Sequence, residues 1–531
     1  MVSQNVAEII RSHVVLEVES IDRMYLNGYV PGLQTEGGFV HFVRTHLGYR
    51  IVSTAVIAPM SEAFVRAIEG FAKAQQLDVV AFKKDQRKDE VAKAYLARCT
   101  FTEGVLFIGK AQEKAQVFRT THKRNAETGK SFPWITRGVA LPNQYYFYVV
   151  DEDFGPLFIK FCSYFPYAVK VCINGHEWVK RQLAKEGIAF EALDNGVLSC
   201  QNPPRLQELC DSLDSEKIDA VFRKWLARLP HPFRTEDRAA GYRYDLSLLQ
   251  AEFSLTQVLD FSRTGRQFFE EIIRENLDLG RPDRVQLIFN RRVTRGTPGL
   301  FRTRVLTEGV VPSLHVQYKH SRIKQYHKEG RALRTETTIN DTYDFAVGRK
   351  LCNLPALREI GFKANRRLLD VQTLSHDCSI GEDRFQAVIR PQVQGTQRAS
   401  GLPFGDLRVL ALMYALCLFG LLPQGFTNAD LRVYVAALLG EDPATYSAGK
   451  MTYDLRRLRL HGLIQRVPRS NHYHITPEGM RIALFFTRGH ARFFRAGLTL
   501  DSPIAPNRAP RVLVQTSQAV DRLLQEVKLA A

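Results

Sequence analysis

Three acidic residues and one dense run of basic and aromatic side chains are the places where this sequence could do chemistry. Asp151 and Asp153 stand two apart at the end of an apolar, strand-like run, Tyr145 to Val150. Two carboxylates so placed can share a divalent cation, as magnesium-dependent nucleases do. Glu336 lies in a second stretch, Leu314 to Asp341. There Lys319, Arg322, Lys324, Lys328, Arg331 and Arg334 put six fixed positive charges into sixteen residues. Tyr318, His320, Tyr326 and His327 are interleaved with them. Cations that neutralise phosphates and rings that stack on bases are the two components of a sequence-tolerant nucleic-acid surface. Asp151, Asp153 and Glu336 are therefore the candidate catalytic and magnesium-binding residues, with Lys324 or Lys328 to steady a phosphate. The competing interpretation is structural. Asp-x-Asp before Phe154-Gly155-Pro156 is also ordinary turn chemistry, and Glu336 can pair across strands with Arg334 or Lys324.

The elements that must position these residues follow from periodicity. Leu314, Val316 and Tyr318 alternate, and so do Leu333, Thr335, Thr337 and Ile339 beyond a Glu329-Gly330 turn. This predicts an antiparallel hairpin or meander with cations and rings on one face. Upstream, Arg281, Arg284, Arg291, Arg292, Arg295, Arg302 and Arg304 meet few acids, and arginine suits bidentate phosphate contact. The candidate nucleic-acid contacts of this region are Arg291, Arg292, Arg302, Arg304, Lys319, His320, Arg322, Lys324, Tyr326, Lys328, Arg331 and Arg334. The aromatic run predicts strands at Tyr145–Val150, Leu157–Cys162 and Ala168–Ile173, then a helix near His176. Rings of Tyr145, Phe147, Tyr164 and Tyr167 are candidates to stack bases. Residues 205–280 are expected to be mainly helical, including a helix from Arg238 to about Leu259 and one from Gly265 to Glu275.

The whole chain bounds the answer. At 531 residues it is too long for one core. Its net charge of +18 favours a polyanionic partner, nucleic acid ahead of a membrane surface. The longest apolar run, Val409 to Leu422, is too short to span a bilayer, and the first residues lack the pattern of a secretory signal. Eight scattered cysteines without a C-x-x-C pair fit a reduced, cytoplasmic protein. The expected fold class is multidomain α+β. Residues 1–125 form a small α/β domain with basic loops, with a helix at Ser61–Gln76 and a buried strand at Leu77–Phe82. Residues 126–204 form an aromatic-rich β-sheet region, with Thr120–Lys130 as an exposed loop before it. Residues 205–395 form a helical, then basic, antiparallel region that binds nucleic acid. Cys378–Leu402 is a domain boundary. Residues 496–531 are a tail with a short helix.

Residues 403–495 carry the clearest pattern. Asp406–Phe419 is an apolar helix, Thr427 caps a second, and Ser447 caps a third that Gly462 closes, with Met451, Leu455 and Leu458 facing inward. Two short strands, Ile464–Val467 and His472–Thr476, precede a helix opened by Pro477. This succession resembles the winged helix-turn-helix, in particular its MarR-like form. The resemblance implies a third helix in the DNA major groove and a wing along the backbone. Carried over, the implied contacts are Lys450, Thr452, Tyr453, Arg456 and Arg457 on the helix, and Arg466, Arg469, Asn471 and His472 on the wing. Other phrases, such as VDEDFGPLFIKFCSYFPY and YKHSRIKQYHKEGRALRTETTIND, resemble a family of bacterial proteins of unassigned function. The hairpin Ile323–Glu336 also resembles those of plasmid replication initiators, but no His-x-His metal pair of the kind their tyrosine-nucleophile site needs lies beside it in the sequence, which leaves Tyr326 a weak candidate for a nucleophile. Three functions follow: binding of duplex DNA by the C-terminal module with a second DNA or RNA segment on the basic sheet; a magnesium-dependent nuclease or strand-transfer protein of a mobile element; or a ligand-responsive transcriptional regulator.

Overall fold

The computed structural model describes residues 12–83, 86–124, 126–127, 129–265, 268–269, 302–306, 313–328, 331–376, 380–419, 425–442 and 446–490. Arg281, Arg284, Arg291, Arg292, Arg295, most of the helix expected from Gly265, the Glu329-Gly330 turn and the tail 496–531 lie outside those residues. For Arg302, Arg304 and Tyr318 only the backbone is described.

In chain order the strands are β1 (Val14–Tyr29), β2 (Val79–Ala81), β3 (Gly104–Gln112), β4 (Ala115–Arg124), β5 (Ser131–Ala140), β6 (Asn143–Asp151), β7 (Gly155–Cys162) and β8 (Val169–Asn174). They continue with β9 (Phe190–Leu193), β10 (Gly196–Cys200), β11 (Asp245–Leu259), β12 (Arg302–Leu306), β13 (Ser313–Tyr318), β14 (Ser321–Lys328) and β15 (Ala332–Ile339). Eleven of them make one sheet in the order β12-β13-β14-β15-β11-β1-β8-β7-β6-β3-β2, while β4–β5 and β9–β10 are separate hairpins. Neighbours are antiparallel except β2 and β3.

β1 is the seam. Its sixteen residues run along β11 on one edge, and residues 23–28 pair with β8 on the other. Strands expected in three separate units therefore share one sheet. Only this long-range pairing joins them, and no local pattern announces it. The main core forms where Met24, Leu26, Phe147, Ile159, Val171 and Phe253 meet Phe64 and Ile68 of the helix Ala58–Ala74. Phe222 and Trp225 of Ser215–Arg228 and Leu357 and Ile360 of Leu354–His376 join them. These helices form because apolar residues recur at spacings of three and four, as at Phe64, Ile68 and Phe71.

Several expectations are corrected. The helix expected over Arg238–Leu259 is a five-residue helix, Thr235–Ala239, followed by β11. Leu246 and Leu248, then Phe253 and Leu255, recur at a spacing of two, which is the strand period. The buried strand expected at Leu77–Phe82 is three residues long and sits at the sheet edge, mostly exposed. Thr120–Lys130 is not an interdomain loop, since it begins inside β4, which pairs with β5 through Arg124↔Ser131. The boundary placed at Cys378–Leu402 contains a helix, Glu382–Ile389, and the hairpin β16 (Gln392–Gln394)–β17 (Gln397–Ala399). Val388 and Leu402 belong to the same core as the elements that follow.

Those elements match their expected positions. Helices Leu407–Phe419, Asn428–Leu439 and Ala448–Leu460 lead to β18 (Ile464–Arg466), β19 (Tyr473–Ile475) and a helix Pro477–Gly489. Thr427 and Asp430 make a reciprocal capping box, Ser447 accepts from the Lys450 amide, and Gly462 takes φ +74° after the third helix. Each cap contributes ~1 kcal/mol. Met451, Leu455 and Leu458 are buried together with Leu431 and Val435.

Candidate functional site

Alternation along the central strands separates two sets of side chains. Tyr145 and Phe147 of β6 enter the main core, and the next residues along, Tyr146 and Tyr148, pack with Phe107 and line a cavity of about 880 Å³. Tyr25 and Arg23 of β1, Lys170 and Cys172 of β8, Phe158 and Lys160 of β7, Gln250 and Glu252 of β11 and Arg322 of β14 line it too. The stacking candidates Tyr145, Phe147 and Tyr167 are thus corrected. They are core residues, each at most 2% exposed, because a one-residue offset moves a strand side chain to the opposite face.

The register sets the cavity's layout. Arg322 pairs with Thr338, and Thr338 pairs with Glu252. A bulge in β1 between Ile21 and Met24 brings Asp22 and Arg23 beside Glu252. Two residues further along, Tyr25 pairs with Gln250 and with Cys172, which pairs with Phe158. Further again, Asn27 pairs with Lys170 and Lys170 with Lys160.

The charges are distributed unevenly. Glu113 is occupied: it takes hydrogen bonds from Lys88, Tyr146 and Lys160, the last at 2.9 Å. Burial alone would raise its carboxyl, but these donors outweigh burial and hold it at about 2. Among the described residues Lys170 donates only to Asn27 Oδ1, at 2.6 Å; burial, with Lys160 and Arg349 nearby, pushes its amine down to about 8. Arg23 and Arg322 have no ion pair among the described residues, and Arg322 Nε is buried without a hydrogen-bond acceptor. Between them, burial and the neighbouring Asp22 push the Glu252 carboxyl up to about 7. Burial also pushes the Cys172 thiol up to about 12, so it is not a thiolate nucleophile.

Behind this wall lies a closed network around Arg334, which is 0% exposed. Arg334 donates to Asp22 Oδ2 and His176 Nε2 at 2.6 Å, to Glu336 Oε1 at 2.8 Å, and to the Asn195 carbonyl. A guanidinium cannot accept, so His176 Nε2 carries the lone pair and its proton sits on Nδ1. Burial and Arg334 keep that imidazole neutral, down to about 3. Although burial opposes it, the Arg334 charge holds Asp22 well below the usual carboxylate range.

These positions decide the sequence candidates. Arg334 is corrected: sealed inside the sheet, it cannot reach a phosphate. Tyr326 donates to Glu336 at 2.8 Å, and burial and that carboxylate push its hydroxyl far above its ordinary value, which removes it as a nucleophile. Lys324 lies 4.2 Å over the Tyr326 ring. His320 is held by Asp344 at 3.0 Å, Lys319 is exposed at the β13–β14 turn, and Lys328 and Arg331 are half-buried. Asp151, Asp153 and Glu336 are not brought together. Asp151 ends β6 and Glu336 lies on β15, five strands away, roughly 24 Å at the usual strand spacing. Asp151 Oδ1 accepts the Asp153 and Phe154 amides, and Oδ2 accepts from Lys224 and Trp225, each at 2.8 Å. This is turn and core chemistry with no oxygen left for magnesium. Asp153 is exposed and pairs with Lys185. Among the described residues no three His, Cys, Asp or Glu side chains form a metal-holding group.

On the third C-terminal helix Lys450, Thr452, Tyr453 and Arg456 are exposed, whereas Arg457 is buried against Asp454 and the Gly401 carbonyl, which corrects it as a base contact. The β16–β17 hairpin covers part of this helix: Arg456 donates to the Arg398 carbonyl and Arg459 to Gln397, both at 2.9 Å, and Tyr453 meets Ser400 at 2.8 Å. Arg466, Arg469, Asn471 and His472 are exposed at the β18–β19 turn. Sequence reasoning missed Arg23, Lys170 and Glu252, although strict alternation with buried neighbours was the available signal. No helix among the described residues is long and apolar enough to cross a membrane. Compared with protein-family models, with curated proteins and with solved structures, the chain matches none.

Proposed function

We propose that this protein binds nucleic acid, holding one segment of DNA or RNA in the sheet cavity and engaging duplex DNA with its C-terminal module, read as a winged helix. The observation that carries the proposal is the set Arg23, Lys170 and Arg322, cations that close no salt bridge among the described residues and stand beside the half-exposed rings of Tyr25 and Phe158. Guanidinium and ammonium groups lining one cavity are the side chains suited to charge-assisted hydrogen bonds with phosphate oxygens. On the C-terminal module the open cations are Lys450 on the helix and Arg466 and Arg469 on the wing, so backbone contact dominates there. Full-length protein is titrated into labelled random-sequence duplex and single-stranded 20-mers over a range of salt. Both bind, with affinity falling steeply as salt rises. Absence of binding to either at low salt sinks the proposal.

A second reading, the ligand-responsive regulator, draws on one feature. The helix Leu354–His376 packs on β11 and β15 and also touches Pro477–Gly489, linking the cavity's sheet to the C-terminal module. If it holds, filling the cavity changes duplex affinity, which the same titration reads when repeated with a cavity ligand.

A further inference from the structure

We infer that the sheet cavity is a two-ended site for a single unpaired nucleotide flanked by phosphates. One phosphate group sits between Arg23 and Arg322, the second at Lys170, and the base lies on Tyr25 and Phe158 between them. This rests on the nucleic-acid reading above and deepens it.

The layout along β1 makes the case. Arg23, Tyr25 and Asn27 point to the same side, and Lys170 is the direct neighbour of Asn27. Four residues of strand separate the two cationic ends, ~13 Å between backbones, which long inward-leaning side chains shorten. Tyr25 occupies the midpoint, and its ring lies 6.4 Å from that of Phe158, tilted by 59°. Both rings are half-exposed; Phe158 also packs on Tyr146 and Tyr148 at 5.5 and 5.6 Å, and Tyr148 is stacked on Phe107 at 4.5 Å.

Each end is cationic for a separate reason. At the first, Arg23 on the neighbouring β1 and Arg322 on β14, beyond Thr338 of β15, flank Glu252 on opposite sides, and Gln250 donates to Glu252 at 2.8 Å. Neither guanidinium closes on that carboxylate. A phosphate bridging them accepts from both, and Glu252, when protonated, donates to it as well. At the second end Lys88 and Lys160 are tied to Glu113, which leaves Lys170, held among the described residues by the neutral Asn27 side chain, to meet an anion. Cation, ring, cation is the order of phosphate, base, phosphate in a strand. A duplex hides its base faces in the stack, so the occupant is unpaired.

The test is calorimetry on the full-length chain with thymidine, thymidine 5′-monophosphate, thymidine 3′,5′-bisphosphate and single-stranded dT12. The bisphosphate is expected to bind at least tenfold more tightly than the monophosphate and to displace dT12, while thymidine alone does not register. Arg322→Gln and Lys170→Gln each bring the bisphosphate down to about the affinity of the monophosphate, and Tyr25→Leu weakens both by about tenfold, with unchanged circular dichroism. Equal binding of mono- and bisphosphate, or dT12 binding that none of the three substitutions alters, overturns the two-ended site while leaving nucleic-acid binding intact. Binding of the bisphosphate without any binding of dT12 supports the site as one for a free nucleotide and overturns the strand reading instead.

Discussion

Replacing Arg334 by alanine tests whether the centre of the basic stretch is scaffold or contact surface. Arg334 is fully buried and donates to two carboxylates, an imidazole and a carbonyl. Truncation leaves Asp22, 1% exposed, without its cation; Asn195 remains as a donor. Removing one partner of a buried pair costs ~3–5 kcal/mol because a buried charge is left behind. Glu336 is 16% exposed at its side chain and can turn to water, so it adds little. The pH dependence has a definite sign. In the native protein the folded pKa of Asp22 is depressed, so its contribution is present above the unfolded carboxylate value and is lost as pH falls through the folded one. In Arg334→Ala the buried, unpaired carboxyl titrates above its unfolded value. The deficit is then largest near pH 7 and shrinks as the pH falls towards 4 and Asp22 takes up a proton. Urea unfolding followed by the emission of the buried Trp178 and Trp225 measures it. Adding Asp22→Asn should recover a large part of the loss. A cost under about 1 kcal/mol at pH 7, or weaker nucleic-acid binding with an unchanged unfolding curve, would make Arg334 a contact residue and not scaffold.

Other expectations follow from the same placements. Glu252, flanked by Asp22, Arg23, Arg322 and Glu336, has a folded pKa raised to about 7. The folded state therefore holds an extra proton below that value, and stability declines as pH rises from the unfolded carboxylate pKa through about 7. Glu252→Gln should flatten that decline, read by thermal unfolding across the range, and an unchanged profile would show that Glu252 is not perturbed. Asp151→Ala should cost ~2–3 kcal/mol by stranding the buried Trp225 N–H and the Asp153 and Phe154 amides, while Lys224 keeps Glu103; Asp153→Ala should cost under ~0.5 kcal/mol, and magnesium should alter neither curve. Arg469→Ala should weaken duplex binding and reduce the salt slope by about one, whereas Arg457→Ala should lower the stability of the C-terminal core; the reverse assignment would contradict their burial.

Much of the local structure was legible in the sequence. The caps at Thr427 and Ser447, the helix Ala58–Ala74 and the strands around Tyr145–Ile173 follow from residue types and spacing within one or two turns. The Asp151-x-Asp153 ambiguity was visible as well, and the turn alternative matches what Asp151 does. The candidate site was far less legible. Arg334 and Arg322 are both arginines in alternating strands of one basic stretch, yet one is sealed in a salt-bridge network and the other opens onto a cavity. The difference comes from Asp22, His176 and Asn195, distant in sequence, which close over Arg334 alone.

The sequence by itself determined what depends on near neighbours: periodicity, capping, turn chemistry and the excess of positive charge. Tertiary structure decided what depends on pairing across long separations. It placed β1 between β8 and β11, so that Arg23, Lys170, Glu252 and Arg322 line one cavity and Asp151 stands five strands from Glu336. Burial and electrostatic partnership are properties of that pairing, because a side chain's environment is set by the strands packed beside it rather than by the residues before and after it.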